Sequence, residues 1–244
     1  MKLFQKVVVL THLCISFLLS QVNTEVLRSD NQLPGIQNNI ELDFAYISGN
    51  TEIVELNGSY RADYVSSSNW YGFLIWKYDR AFEKLKEDFT YKGFGHLRIV
   101  KPIMVRTDIE GFSQKEFNHF IDLENRELVG CGFRVNQFDD LFWGLGIMSE
   151  TEKYQNSPQE QNFLKSTNYL NYTFKLLEIF ELQNIMYYQF KLEKLGNYRI
   201  LWDGKLTILG LKGVSFYINC HYRYDKNSVK SNYFEISNGL GFQF

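Results

Sequence analysis

The chain of 244 residues carries a net charge of −2, and 17% of its residues are aromatic. This length suits one large all-β domain or two small domains. Because the charge is nearly balanced, there is no basic excess that would indicate nucleic-acid binding and no acidic run that would indicate a disordered tail. The slightly polar mean hydropathy argues against helical membrane spans. It does not argue against a membrane barrel, whose strands alternate lipid-facing and lumen-facing residues and therefore average low.

The first twenty residues predict a secretory signal peptide, 1–20, with a cleavage boundary between residues 20 and 24. Lys2 and Lys6 form a basic start, and the apolar stretch that follows is too short and too interrupted for a membrane span. Residues 21–39 contain Pro34-Gly35 and predict a flexible N-terminal segment. Residues 40–244 are then expected to form a single domain.

From residue 40 onwards, hydrophobic residues recur with a period of 2, which is typical of β-strands. In TEIVELNGSYRADY, residues 51–64, Val54, Leu56 and Tyr60 alternate with polar residues. Several segments reach the roughly 9–11 residues that a tilted strand needs to cross a bilayer. About twelve segments follow in chain order, at 40–48, 51–64, 69–79, 89–100, 103–116, 121–135, 140–153, 163–175, 178–192, 197–209, 213–225 and 232–244.

The connections between these segments alternate in length. Short ones such as VSSSN and NQFDD are followed by longer ones such as AFEKLKEDF and KYQNSPQEQN. This asymmetry is typical of outer-membrane barrels. We therefore predict an all-β fold, a closed antiparallel up-and-down transmembrane β-barrel, because only a closed barrel pairs every backbone group in lipid. The alternative is a secreted soluble β-sandwich or lipocalin-like small-molecule-binding protein, since soluble sheets alternate as well.

Two cysteines follow the leader, Cys131 and Cys220, and both fall on the apolar face of strands that lie far apart. We expect free thiols that face lipid rather than a disulfide. In segment 163–175, Ser166 and Asn168 share the face of the apolar Leu164, which leaves the register of that strand open.

The opposite face of the predicted strands is rich in charge. It can line a lumen through which a small solute or ion passes, or its charges can pair with one another and fill the interior. A barrel of about 8 strands is filled by side chains and one of 16–18 holds a channel, so about twelve strands leave both open. The candidate lumen-lining residues are Arg61, Lys92, His96, Arg98, Arg106, Asp108, Glu110, Arg126, Arg134, Asp203, Lys205, His221, Arg223 and Glu235.

No catalytic residues, metal site or cofactor are predicted. Membrane lipid hydrolases place a serine two residues from a histidine on one strand face, so that the histidine activates it. None of His96, His119 and His221 has a serine two residues later, and their spacing fits no metal-ligand pattern. The glycines of Gly93-Phe94-Gly95 lie within a strand and indicate a bend rather than a phosphate loop.

The final stretch, FEISNGLGFQF at 234–244, continues the alternation to its last residue. It predicts the closing strand of the barrel, and its aromatic residues Phe242 and Phe244 resemble the signal that such barrels present to their assembly machinery. The expected partners are outer-membrane lipids and the β-barrel assembly machinery, with no nucleic acid, and the expected state is a monomer.

Several stretches resemble a known family: ISGNTEIVELNGSYRADY, YKGFGHLRI, GNYRILWDGKLTI, YINCHYRYDKN and NGLGFQF. They are similar to the family of unknown function 481, often labelled salt-induced outer-membrane proteins, from about residue 40 to the end. The resemblance implies a porin-like β-barrel in the outer membrane of a Gram-negative cell envelope. The resemblance implies no catalytic residue and no substrate. It leaves open whether the protein is a narrow channel or an envelope-stress component.

Overall fold

The computed structural model describes residues 34–47, 52–83, 88–138, 140–155, 159–176, 179–210, 214–226 and 232–242, with Glu25, Arg28 and Ser157. The predicted signal peptide lies outside the described residues. The described part contains twelve strands and a short 3₁₀ helix at His119–Ile121. The strands are β1 (Gly35–Ile47), β2 (Ile53–Val65), β3 (Tyr71–Glu83), β4 (Asp88–Met104), β5 (Thr107–Asn118), β6 (Leu123–Phe138), β7 (Leu141–Tyr154), β8 (Gln161–Leu176), β9 (Phe180–Lys191), β10 (Lys194–Leu209), β11 (Val214–Asp225) and β12 (Asn232–Phe242).

The strands form one sheet in the order of the chain, from β1 to β12, and each pairs antiparallel with the next. The predicted all-β class, the strand number and the up-and-down order are confirmed. A single continuous sheet is not the pair of packed sheets that a β-sandwich requires. No helix in the described part of the chain is long and apolar enough to cross a membrane.

Two predicted boundaries differ from the structure. β1 begins at Gly35, inside the predicted flexible segment, because residues 35–39 pair with residues 61–65 of β2. The predicted strand 103–116 is interrupted at Val105 and Arg106, which form the turn between β4 and β5. The hydrophobic alternation runs through this two-residue turn without changing parity, so periodicity alone could not reveal it.

The sheet is not closed. Among the described residues, β1 pairs with β2 and β12 pairs with β11, and no pairing joins β1 to β12. Apolar side chains of the edge strand β1 are exposed, with Leu42 and Phe44 at 79% and 69% of their full accessibility. The predicted closure is therefore not a feature of this structure.

The two faces of the sheet differ in chemistry. The buried face combines many charged side chains with two apolar clusters, at Tyr71, Phe73, Ile75, Phe94 and Val100 and at Ile185, Tyr187 and Leu201, whereas the other face exposes apolar side chains. On β6, Arg126 is fully buried, whereas Val129, on the other face, is 63% exposed. The buried side is here called the inward face. The outward face is mainly apolar and includes Leu74, Trp76, Leu97, Ile99, Phe133, Leu145, Ile147, Leu170, Met186, Tyr188, Phe234 and Ile236.

Glycines on β6 and β7 allow inward side chains to pack closely. A Cβ atom added to Gly130 would lie 2.4 Å from the ring of Phe112, and one added to Gly144 would lie 2.1 Å from the ring of Tyr169. Any larger residue would displace these two rings. The glycines therefore set how near the neighbouring aromatic side chains come to the sheet.

The outward face also accommodates its few polar groups. Cys131 and Cys220 are free and lie on this face, as predicted. Asn168 donates to the Ser166 Oγ at 3.0 Å and to the Tyr188 carbonyl at 3.2 Å. Because their hydrogen bonds are made locally, these two polar residues do not disturb the alternation of β8.

Candidate functional site

The inward face carries two clusters of charged side chains, one towards each end of the strands. The start of β1, the end of β12 and the β4–β5 turn lie at one end, here called the terminal rim, because the strands alternate in direction. The opposite end, with the 3₁₀ helix at 119–121, is called the distal rim.

The distal cluster is a balanced set of four cations and four anions on β5, β6, β7, β8, β10 and β11. All are buried. Its centre is Arg126, whose Nε donates to Glu152 Oε1 at 2.8 Å and which also pairs with Glu116 and Glu150. The members of the distal cluster are Glu116, Arg126, Glu150, Glu152, Lys165, Arg199, Arg223 and Asp225.

Two of these ion pairs, both made by Arg199, cross the inward face between strands that are not neighbours. Arg199 on β10 lies 3.1 Å from Glu150 and 2.9 Å from Glu152, both on β7. Lys165 on β8 is 2.9 Å from the second oxygen of Glu150. The sheet therefore curls far enough for β7 and β10 to meet, and the cluster fills the space between them.

Charges buried in this way stabilise a structure only as a complete set. Each ion loses its hydration, and the loss is offset when every partner is present with good geometry. Within the distal cluster, the four positive and four negative charges cancel one another.

The members of the terminal cluster are Glu25, Arg28, Arg98, Asp108, Glu110 and Arg134. Two of them, Glu25 and Arg28, precede the sheet. The Glu25 side chain is fully buried, and its Oε1 lies 3.8 Å from the Nη1 of Arg98 and 3.5 Å from the Nε of Arg134. Arg28 pairs with Glu25 and with Glu110. Both residues belong to the predicted N-terminal segment 21–39, and the structure places their side chains against the inward face.

The carboxyl group of Glu25 is held in its charged form. Burial would raise its pKa, but the guanidinium groups of Arg28, Arg98 and Arg134 outweigh burial and hold the pKa below its usual value. A carboxyl pKa lowered by folding adds stability above the unfolded-state pKa, and this stability is lost as the pH falls through the lowered value. The terminal cluster is therefore intact at neutral pH.

Between the two clusters lies a cavity lined by strands β4 to β10. His96 is 1% exposed there, and its ring stacks against Phe94 and Phe112 at centroid distances of 6.1 and 6.4 Å. The cavity is also lined by Gln114, Leu128, Met148, Thr167, Gln189 and Leu201. Its walls mix apolar groups with amides and hydroxyls, and the Arg98–Glu110 ion pair of the terminal cluster also lines it.

The sequence itself identifies the relatives of this chain. A family model described as "Protein of unknown function, DUF481" matches residues 40–244. The chain belongs to this family. The predicted resemblance is confirmed, although the match does not itself show the outer-membrane or salt-induced labels. No curated protein matches this DUF481 chain.

Two solved structures are similar to this DUF481 protein. The NanC porin, in a rhombohedral crystal form, aligns with a TM-score of 0.49 and 9% identity over 78% of this chain and 94% of that one. The β domain of the Bordetella autotransporter Brka aligns with a TM-score of 0.35 and 11% identity over 86% of this chain and 96% of that one.

Most of the residues predicted to line a lumen lie on the inward face of the DUF481 sheet. Arg106 is the exception, since it lies in the β4–β5 turn and donates to the Gln137 carbonyl at 3.0 Å. Glu235 pairs in register with His221, but its side chain is outside the described part. The inward residues are Arg61, Lys92, His96, Arg98, Asp108, Glu110, Arg126, Arg134, Asp203, Lys205, His221 and Arg223.

The two histidines considered for a metal site do not share one site. His221 Nδ1 lies 2.6 Å from Asp203 Oδ1 on the neighbouring strand, while His96 lies among phenylalanine rings. Within the described residues, no group of three or more His, Cys, Asp or Glu is arranged to hold a metal ion. The absence of catalytic activity stays a prediction.

Most residues of the distal cluster were not predicted from the sequence to line the interior. Glu150, Glu152 and Lys165 stand at strand ends, close to stretches that read as loops. The available signal was parity, because continuing the alternation of β7 from Gly146 places Glu150 and Glu152 on the same face. Glu25 had no such signal, since it belongs to no strand.

Proposed function

We propose that this protein is an outer-membrane β-barrel with a narrow, charge-lined lumen that serves as a restricted channel for small solutes. The observation that carries the proposal is the inversion of its faces, with charged side chains buried inside and apolar side chains exposed outside. Soluble proteins rarely expose apolar patches of more than a few hundred Å². A transmembrane barrel has an apolar exterior that contacts lipid and a polar interior.

We also propose that β1 and β12 pair in the membrane. Unpaired backbone groups in lipid cost several kcal/mol each, so an open edge is excluded there. In a sheet of twelve sequentially antiparallel strands the first and last strands run in opposite directions. They can therefore close the ring as one more antiparallel pair, with the apolar residues Phe44 and Ile236 on the same outer face. A single chain then suffices, which supports a monomer.

The inward charges argue against the soluble alternative. A lipocalin-like barrel encloses its ligand in an interior shielded from water, and its outer face is wet. Here Arg126 and Glu150 occupy the interior, whereas Ile147 and Phe133 would face water. These residues therefore favour a membrane barrel over a secreted binding protein.

The location is tested by fractionation and gel mobility of the full chain. We expect the protein to remain in the membrane pellet after an alkaline wash and to migrate faster on a detergent gel when unheated, because a barrel stays compact until boiled. The boiled half of each sample is the control. Recovery of the protein in a detergent-free soluble fraction would contradict the membrane proposal.

The channel part of the proposal is tested in planar bilayers. We expect small currents, because the distal cluster obstructs the interior with paired charges. A barrel that inserts but stays silent, both unmodified and with the distal cluster weakened, would contradict a channel and leave a structural envelope role.

The final aromatic residues supply a prediction about assembly. Phe242 ends β12, and Phe244 lies outside the described residues. We propose that they are recognised by the barrel assembly machinery, so that deleting Phe244 lowers the amount of protein in the outer membrane severalfold. Gln243→Ala is the control and should insert normally. Unchanged outer-membrane levels of the deletion variant, measured by immunoblot, would refute this role.

A further inference from the structure

The terminal cluster has one feature that strand packing does not explain. Glu25 belongs to no strand, yet its carboxylate is fully buried among guanidinium groups on the inward face. Arg98 is provided by β4 and Arg134 by β6, on either side of β5. The strands thus present two cations to one carboxylate that comes from elsewhere in the chain.

We propose that Arg98 and Arg134 form a carboxylate-binding site on the inward face, and that Glu25 is its built-in occupant, which a carboxylate-bearing solute replaces. This inference takes the proposed channel as its setting and names the class of solute. Arginine suits the task, because its planar guanidinium is always charged and matches the geometry of a carboxylate.

Both arginines are held in place by groups other than Glu25. Arg98 Nη1 lies 3.2 Å from Glu110 Oε2, and its guanidinium lies 5.5 Å from the centroid of the Phe112 ring. The guanidinium of Arg134 lies 3.7 Å from the centroid of the Phe142 ring and 3.8 Å from Asp108. The site is therefore preorganised on the sheet and does not depend on its occupant for shape.

The charges favour exchange of one carboxylate for another. If Glu25 turns away while Arg28 stays on Glu110, three guanidinium groups face two carboxylates, those of Asp108 and Glu110. The single excess positive charge is matched by one added carboxylate.

Glu25 can turn away without breaking any pairing between strands, and the contacts that it gives up are its ion pairs with Arg28, Arg98 and Arg134. It contributes to none of the strand pairings from β1 to β12, so its departure costs no backbone hydrogen bond of the sheet. A strand residue such as Glu110 could not move in this way. A tethered occupant competes with free solute at an effective concentration that is typically in the millimolar range, which a solute can match.

The test measures acetate binding to the folded barrel in detergent by calorimetry, at constant ionic strength. We expect E25A to bind acetate about tenfold more tightly than the unmodified protein, because the tethered competitor is gone. Acetamide, which lacks the charge, should not bind. Adding R134Q to E25A should weaken acetate binding about tenfold, as expected for one lost charge-assisted hydrogen bond.

Glu127→Ala is the matched control, because Glu127 is an exposed carboxylate paired with Lys115 on the outward face. It should leave acetate binding unchanged. If E25A does not fold, E25Q keeps the size of the occupant without its charge and should also bind acetate more tightly. A folded E25A or E25Q that binds acetate no better than the unmodified protein would overturn the proposal. Acetate binding by a barrel that never conducts would contradict the channel alone.

Discussion

Replacing Arg126 by glutamine should destabilise the folded protein by about 3–5 kcal/mol, the usual cost of leaving buried charges without their partner. Arg126 is fully buried and pairs with Glu116, Glu150 and Glu152. Its loss leaves these three carboxylates with fewer cations in a site that water does not reach. The free energy of unfolding, measured in urea with the barrel folded in lipid vesicles, reports the change.

Lys115→Gln is the matched control. Lys115 also pairs with a glutamate, Glu127, at 2.6 Å, but both side chains are largely exposed on the outward face near a rim. Exposed ion pairs contribute little, so the free energy of unfolding should change by less than about 1 kcal/mol. Equal effects of the two substitutions would show that the distal cluster is not desolvated as the structure indicates.

The same Arg126 variant should conduct better than the unmodified barrel. Arg126 joins carboxylates of β5 and β7, and its removal loosens the obstruction near the distal rim. Larger single-channel currents in planar bilayers are therefore expected from the fraction that folds. The combination of lower stability and higher conductance distinguishes an obstruction from an ordinary wall residue.

Placing an arginine on the outward face should be far more damaging than it would be in a soluble protein. Ile147 lies in the middle of β7 and is 51% exposed. Surface substitutions in soluble proteins usually change stability by less than about 0.5 kcal/mol. In a transmembrane barrel, Ile147→Arg should cost about 2–4 kcal/mol, because the charge lies near the bilayer midplane.

Thr151→Arg provides the comparison, since Thr151 lies on the same face of β7 but nearer the distal rim. The cost of an outward arginine falls to about 0–1 kcal/mol near the membrane interface. Unfolding in urea from lipid vesicles gives both values. If the two variants are equally stable, the outward face does not meet lipid and the membrane proposal fails.

Both predictions depend on the inversion of the two faces. This inversion can be predicted from the local sequence. Successive side chains of a strand point to opposite faces, so the alternation of Val54, Leu56 and Tyr60 with polar residues assigns each to a face before any partner is known. The twelve strands and their outward residues followed from this rule. It failed at Val105 and Arg106, where a two-residue turn keeps the parity.

The charged site was predicted as a list of residues but not as a structure. Arg98, Glu110 and Arg126 were identified by parity, whereas their grouping into two clusters was not. Arg199 on β10 meets Glu150 on β7 across the two intervening strands, at 3.1 Å. Such a contact depends on how tightly the sheet curls, and no local pattern records curvature.

By itself, the sequence determined the strands, their order and the chemistry of each face, because period and parity are local properties of an extended chain. The tertiary structure alone decided which charges meet and which residue fills the terminal cluster. Glu25 lies far from Arg98 and Arg134 in the chain, and only the curled sheet brings their charges together. Ion pairs between residues that are distant in the chain become strong once folding removes water from around them. No local sequence motif therefore predicts which charges pair in the interior.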